Sequence, residues 1–455
     1  MKTNHSFWAR TLISVLFALP IAGIHPAAAA VLWVTNDGAD NSSCGSQTAP
    51  CRSISQGIEN ASDGDTIEVG AGHYGNVSGN VNFTGPGDEH PQATAGCIVC
   101  ITKGLNIVSV HGAAVTVIDG IPSTPFGTTV LILSDGVRFG QAGGGFTLTG
   151  GNTNGVAIDQ NARGYGGPFG IILKRNVTVA GNVDVGDGNG FVFNGWDFED
   201  IHCPAPSCLS TAQITFSDNE SINNGAGFNV TVNTYTPPIT LQSNLARGAG
   251  TGFLVTAGGQ DEVGLELGAG NVSVLGNVAL RNGIGFDLTL IGRTENNTAA
   301  GNSQSGFRVV PSGTFRGNSA LGNAGPGIIV NFSAYNFTRN GPPTNNYSPF
   351  TQNNFYGNDR NRPALSIFTG PWQAPNPGPS ADCGVLNVGD VMAAAMPGSG
   401  LPTMTLQAGG NFWGSAQGPA PTGAGDAVGG ACDQNGGVTI AKPFATTAFP
   451  ITSLP

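Results

Sequence analysis

Two stretches of this chain carry residue types that could do chemistry. In the first, Asp287 and Arg308 each follow the Phe of a Gly-Phe pair, at Gly285-Phe286 and Gly306-Phe307. Brought side by side, such a pair offers a cation to neutralise a carboxylate and a Brønsted base to accept a proton, the catalytic assignment for these two residues. The bland alternative is an exposed cross-strand ion pair worth under about 1 kcal/mol. In the second stretch, Trp196-Asp197-Phe198-Glu199-Asp200-Ile201-His202 stands directly before Cys203 and Cys208. Asp197, Glu199 and Asp200 are candidate ligands for Ca²⁺, a hard cation that takes carboxylate oxygens, and Trp196 is a candidate platform for a sugar ring. No Asp-x-Asp-x-Asp-Gly spacing sets a coordination geometry there, so a solvated acidic loop is the competing reading. Asp261, Glu262 and Glu266 have no Lys or His nearby in sequence and read as a solvated edge.

What would position these residues is a repeat. Asn182-Val-Asp-Val-Gly-Asp-Gly-Asn-Gly-Phe191 is restated as Asn219 to Phe228, Asn244 to Phe253 and Asn277 to Phe286, and more loosely up to Gly306-Phe307 and Gly327-Ile328. The Gly positions 227, 252, 285, 306 and 327 lie 25, 33, 21 and 21 residues apart, which is the signature of a solenoid with insertions. Each Gly-Phe opens an alternation of period two, such as Phe228-Asn-Val-Thr-Val232, so the units are strands. A coil this short cannot bury its apolar face alone; equivalent strands must stack into parallel sheets, giving a parallel β-helix. Gly and Asn suit the corners, and a column of one Asn per coil can hydrogen-bond along the stack. With Phe286 and Phe307 inward, Asp287 and Arg308 point outward on successive coils about 4.8 Å apart, and Val192, Asn229, Leu254 and Ile329 share that outward position. Asn229 is the substrate-binding candidate on this ladder.

Composition fits a long β-solenoid: of 455 residues 72 are Gly and only 10% are charged. Lys2 and Arg10, an apolar run from Leu12 to Ile24, Pro26 and four alanines to residue 30 predict a secretory signal peptide over 1–30. Its removal leaves 15 of the 17 basic residues against 28 acidic, a net charge near −13, with no other stretch suited to cross a membrane. That balance argues against nucleic acid as a partner, which needs clustered Lys and Arg, and sets up long-range repulsion from strongly anionic polysaccharides. The eight cysteines fall into neighbours, Cys44 with Cys51, Cys97 with Cys100, Cys203 with Cys208 and Cys383 with Cys432, and in an exported chain read as disulfides. Neither a thioredoxin-like context for Cys97-Ile-Val-Cys100 nor a zinc spacing is present.

Along the mature chain, Val31-Leu-Trp-Val34 predicts a strand, and Ile54, Ile58 and Ala61 at helical spacing predict a short helix that covers the open end of the solenoid. Ser62-Asp-Gly-Asp-Thr-Ile-Glu-Val-Gly-Ala-Gly-His-Tyr74, Gly104-Leu-Asn-Ile-Val-Ser-Val110, Val115-Thr-Val-Ile-Asp-Gly120, the Gly-Phe coils and Asn411-Phe-Trp-Gly414 follow. Over roughly residues 44–440 these segments resemble the pectate-lyase-like right-handed parallel β-helix superfamily. The resemblance, with the usual hand of parallel crossovers, implies a right-handed coil. It also directs attention to that superfamily's enzymes. A polygalacturonase-like site would need Asn-Thr-Asp, paired aspartates, Gly-His-Gly and Arg-Ile-Lys, and none occurs; Asn152-Thr-Asn154 lacks the carboxylate. The Leu-Gly-Arg-Pro-Trp of a pectin-methylesterase-like site is missing too. A lyase needs less: a cation or Ca²⁺ on the uronate carboxylate and a base for the C5 proton.

One domain is expected over 31–455, with an N-terminal cap at 31–75, coils with loop insertions at 76–370 and a C-terminal coil and cap at 371–455. Residues 340–379, rich in Pro and Asn, are expected to decorate the body as loops. His73 and Tyr74 are expected at a cap turn, His111 beside a strand end, and Trp33, Trp372 and Trp413 as covers for exposed core. The functional expectation is a monomeric protein exported to the periplasm, surface or surroundings of a bacterium. It would bind or cleave a polysaccharide or cell-surface glycan by a lyase-type reaction; the alternative is a non-catalytic surface or adhesive solenoid.

Overall fold

A computed structural model of the chain describes residues 29–77, 83–121, 127–159, 176–194, 213–232, 238–257, 269–331, 349–358, 383–388, 405–434 and 437–452. The chain winds as a right-handed parallel β-helix, and each coil gives one short strand to each of three parallel sheets of 10, 11 and 10 strands. Val177–Ala180 opens a coil in sheet one, Val183–Val185 continues it in sheet two and Asn189–Asn194 closes it in the 11-stranded sheet three. The next coil repeats this with Ile214–Ser217, Glu220–Ile222 and Ala226–Val232, so the partner of each strand is the third one along the chain. Among the described residues no helix is long and apolar enough to cross a membrane.

The corners are built by one device used twice per coil. Between sheets one and two, Gly181, Asp218, Ser243, Gly276, Asn296, Gly317 and Gln352 have positive φ, and an Asn follows each. Each of these asparagines donates its backbone N–H to the side-chain oxygen of the Asn one coil further on, from Asn182 through Asn219, Asn244, Asn277, Asn297, Asn318 and Asn353 to Asn411, at 2.8–3.1 Å. This is the anticipated column, and it satisfies backbone groups that the turn removes from the sheets. A second column, at the corner between sheets two and three, was not anticipated. It joins Asn282, Asn302, Asn323 and Asn358 and ends on the Asp426 carboxylate, while Asp187 and Asn224 form a further rung beyond a gap at Ala249. Again the corner residues are left-handed, at Gly186, Asn223, Gly248, Arg281, Gly301, Gly322 and Gly357, and at Gly248 a Cβ would press on the Asn223 side chain, which favours Gly there.

Inside, the Gly-Phe pairs stack as their period demands. Phe191, Phe228, Phe253, Phe286 and Phe307 lie in register and their rings are parallel, with centroids 4.6–4.9 Å apart. All five are fully buried, as the inward assignment requires.

The predicted cap helix is present as α1, Ile54–Asn60, with Ile54, Ile58 and Ala61 buried and Ser53 as N-cap. Its first turn is also held by a residue distant in sequence. The buried Glu89 carboxylate accepts from Ile54 N (2.8 Å), Ser55 N (2.7 Å) and Ser55 Oγ (2.6 Å). Burial pushes this carboxyl from 4.5 up to about 7, against the pull of the Ser55 and Ile54 donors and of His90. The folded chain therefore retains a proton that the unfolded chain gives up, and the associated stabilisation is complete below about pH 4.5 and lost as pH rises through about 7. Thermal melts from pH 5 to 8 should show Tm falling with pH, and Glu89→Gln, which cannot ionise, should flatten that fall. A slope identical in the two proteins would exclude Glu89 as its source.

Two expectations are corrected. His73 and Tyr74 lie within a strand, Gly72–Gly75, that pairs with Thr116–Asp119; His73 Nδ1 sits 2.8 Å from Asp119 Oδ2, and Tyr74 is an inward core residue. Residues 349–358, expected to be loop, form part of a full coil: Asn354–Tyr356 pairs with Ser319–Leu321 because Asn353 and Asn358 extend both asparagine columns. At the C-terminal end Trp413 is fully buried against Phe355, as expected for a covering Trp. Beyond it the chain folds back over the outer face of sheet two, where Ala445, Phe449 and Ile451 cover Ala300, Leu321, Tyr356 and Phe412. Asn354 fixes this segment by accepting from Phe449 N (2.9 Å) and donating to its carbonyl (3.1 Å).

Candidate functional site

The outer face of sheet three carries the residues singled out for chemistry. Its outward column reads Ala157, Val192, Asn229, Leu254, Asp287, Arg308, Ile329 and Leu386, one residue per coil. Asp287 on Ile284–Thr289 and Arg308 on Phe307–Val310 are direct cross-strand neighbours, and the Arg308 guanidinium donates to the Asp287 carboxylate. The spacing of 21 residues, one coil without insertion, is what brings them together. Their side chains are 47% and 16% exposed for Arg308 and Asp287, so the pair is open to solvent on one side. The hydrogen bond to Asp287 holds Arg308 above the ordinary arginine value, against some desolvation. Asp287 is thus neutralised by its neighbour, and to act as a base it would first have to leave the guanidinium.

Asn229 is not part of that pair. Leu254 stands between Asn229 and Asp287 on the intervening strand, and the Asn229 amide donates to Asn189 Oδ1 (3.1 Å). Asn189 in turn donates to Asn154 Oδ1 (3.0 Å) and Asn154 to Thr128 Oγ1 (3.2 Å), an outer amide chain that sequence reading missed. Two residues along from the Asn229–Asp287 column runs a second outward column, Thr231, Thr256 and Thr289, of half-buried threonines in register. The face therefore offers amides, hydroxyls and one charged pair spaced by the strand repeat, interleaved with aliphatic side chains of which Val192, Leu254 and Ile329 are half-buried. Such a surface can exchange hydrogen bonds with a polyhydroxylated chain laid across the strands.

Trp196, Asp197, Glu199, Asp200 and His202 lie outside the described residues, as do Cys203, Cys208, Asp261, Glu262, Glu266 and Trp372. Among the described residues no three or more His, Cys, Asp or Glu side chains are grouped to hold a metal. Three of the expected disulfides are formed: Cys44–Cys51 in the cap, Cys97–Cys100 along one strand of sheet three, and Cys383–Cys432. The last ties Val385–Val388 to the turn at Gly430–Cys432 and so closes the C-terminal cap.

The residues sequence reading missed are polar ones in corners and core, Asp184, Asp187, Asn224 and Glu89, all buried. A signal for two of them was available: an Asp or Asn stands four residues before the Phe in the copies ending at Phe191, Phe228 and Phe286. Comparison of the chain with protein-family models, with curated proteins and with solved structures finds no match in any of the three.

Proposed function

We propose that this chain is an exported β-helix of the pectate-lyase-like kind that binds polysaccharide along the outer face of sheet three. The observation that carries the reading is the Asp287–Arg308 pair, half open to solvent beside the threonines of the neighbouring column on a face otherwise poor in charge. A guanidinium and a carboxylate fixed at one coil's spacing can grip adjacent hydroxyls of a glycan from both sides, as donor and acceptor. Binding is favoured over cleavage because the only acid of the pair is committed to Arg308. The rival reading, a purely structural solenoid, draws on that same fact: each partner already satisfies the other.

The test is a glycan array and calorimetry with the mature protein on pectate, alginate, glycosaminoglycans and neutral glycans, with and without Ca²⁺, alongside an assay for unsaturated-sugar absorbance. Asp287→Ala and Arg308→Ala should each weaken binding about tenfold or more, the loss of a charge-assisted contact worth about 1.5 to 3 kcal/mol. Folding stability should change by less than about 1 kcal/mol in either variant, as for an exposed ion pair. Glycan binding indifferent to both substitutions, or no binding at all, sinks the proposal and leaves the structural solenoid. Turnover abolished by either variant would instead establish a lyase.

A further inference from the structure

Four alanines, Ala27 to Ala30, stand before the first strand, and they offer two bonds at which a secretory signal could be cut. A peptidase that asks for small residues one and three positions before the cut finds Ala27 and Ala29 at the Ala29–Ala30 bond. At the Ala30–Val31 bond it finds Ala28 and Ala30, so the sequence does not choose between them. The fold does distinguish them, because it uses Ala30.

Among the described residues Ala30 is the first whose backbone is bonded into the solenoid. Its carbonyl accepts from Thr66 N at 2.8 Å, extending the ladder in which Val31–Val34 pairs with Thr66–Val69. Its nitrogen donates to Asp65 Oδ1 at 2.7 Å, while Asp65 Oδ2 accepts from Ser62 N at 2.8 Å. Asp65 is 8% exposed, and no Lys, Arg or His side chain among the described residues forms an ion pair with it. A carboxylate so far out of water, held by backbone N–H groups alone, lacks a countercharge, and burying an unpaired charge is costly. Ala29 and Ala30 are themselves exposed, so the bond between them lies at the surface beside that carboxylate.

We propose that the chain is cut between Ala29 and Ala30, and that the α-ammonium created on Ala30 is the countercharge of Asp65. Water adds across the peptide bond: the C–N bond breaks, the water oxygen leaves with Ala29 as a carboxylate, and both water protons end on the Ala30 nitrogen. The atom that donates a neutral N–H to Asp65 in the uncut chain thus becomes a cation in the same place, and charge-assisted bonds are roughly twice as strong as neutral ones. A cut one residue later would instead remove Ala30, and with it the partners of Asp65 Oδ1 and of the Thr66 N–H. Removal of the leader therefore completes the N-terminal cap. Such a cut presupposes the export proposed above, and it starts the mature chain at Ala30, one residue before the expected boundary.

The test is intact mass and N-terminal sequencing of the protein recovered after the full precursor is expressed in an exporting bacterium, with a start at Ala30 expected. A start at Val31 or elsewhere overturns the proposal and leaves export standing, whereas an uncut chain overturns both. The pairing is read separately on purified chains beginning at Ala30, with the α-amino group free or acetylated, each as wild type and as Asp65→Asn. With the amine free, amide exchange in Val31–Val34 should be slower by about tenfold or more than in the acetylated protein, and Asp65→Asn should abolish that difference. Should Asp65→Asn fail to fold, a chain beginning at Val31 reads the same contact and should exchange at least as fast as the acetylated one. Exchange indifferent to acetylation would mean that a neutral N–H serves Asp65 equally well, and overturns the pairing.

Discussion

Replacing Asn297 by Ala is expected to destabilise the solenoid by about 4 to 6 kcal/mol. Asn297 Oδ1 accepts from the backbone N–H of Asn277 (2.9 Å) and from its amide (3.1 Å), while its own amide donates to the Val274 carbonyl (2.8 Å) and to Asn318 Oδ1 (3.0 Å). All three asparagines are buried, so water cannot take over these bonds in the native state. Truncation strips their side-chain partner from the Asn277 backbone N–H and the Val274 carbonyl, at about 1 to 3 kcal/mol each, and removes one of two bonds from the Asn277 amide, which keeps the Leu241 carbonyl. The second column already lives with Ala249 in one position, which is why it is broken there, whereas the first runs without interruption from Asn182 to Asn411. Guanidinium denaturation of wild type and variant, with amide exchange of the coils around Asn277 and Asn318, would measure the loss. A cost under about 1.5 kcal/mol would show that the column is not what holds the corners.

Phe286→Ala should cost about 3 to 5 kcal/mol, the usual range for emptying a buried aromatic site. Its ring lies between Phe253 at 4.6 Å and Phe307 at 4.8 Å, nearly parallel to both, so the substitution removes two stacking contacts as well as buried area. Relaxation is restricted because the neighbours above and below are held in register by their own strands. In a solenoid each coil touches only its neighbours, so the damage should be greatest in exchange protection of the coils carrying Phe253 and Phe307. A cost below about 1 kcal/mol would contradict the inward placement of Phe286, and with it the outward placement of Asp287. The glycan prediction is thus linked to a stability measurement made without any glycan.

Much of the architecture was legible because a solenoid is nearly one-dimensional. The Gly-Phe spacing located the stack, the Asn nine residues before each Phe located one corner, and a gap of one uninterrupted coil was enough to set Asp287 beside Arg308. The second asparagine column escaped notice because its residue drifts from four to five positions before the inward residue, at Asn302 before Phe307 and Asn323 before Ile328, and is Ala in one coil. Residues 349–358 were misjudged because insertions on both sides hide the period, although Asn353 and Asn358 keep their places in the columns.

By itself, then, the sequence determined what repeats: the coil, its inward phenylalanines, the first asparagine column and the outward neighbours along a single ladder. Only the tertiary structure decided what does not repeat. Glu89 caps α1 from 35 positions away, and Asp184 receives the Asn224 amide inside the core, with no periodic signal joining them. Asn229 shares a column with Asp287 yet gives its amide to Asn189, a choice set by side-chain geometry across strands. Periodicity dictates which positions stack, since every coil must present the same face to the next. Which polar atoms find partners depends on distances between residues that have no fixed separation along the chain.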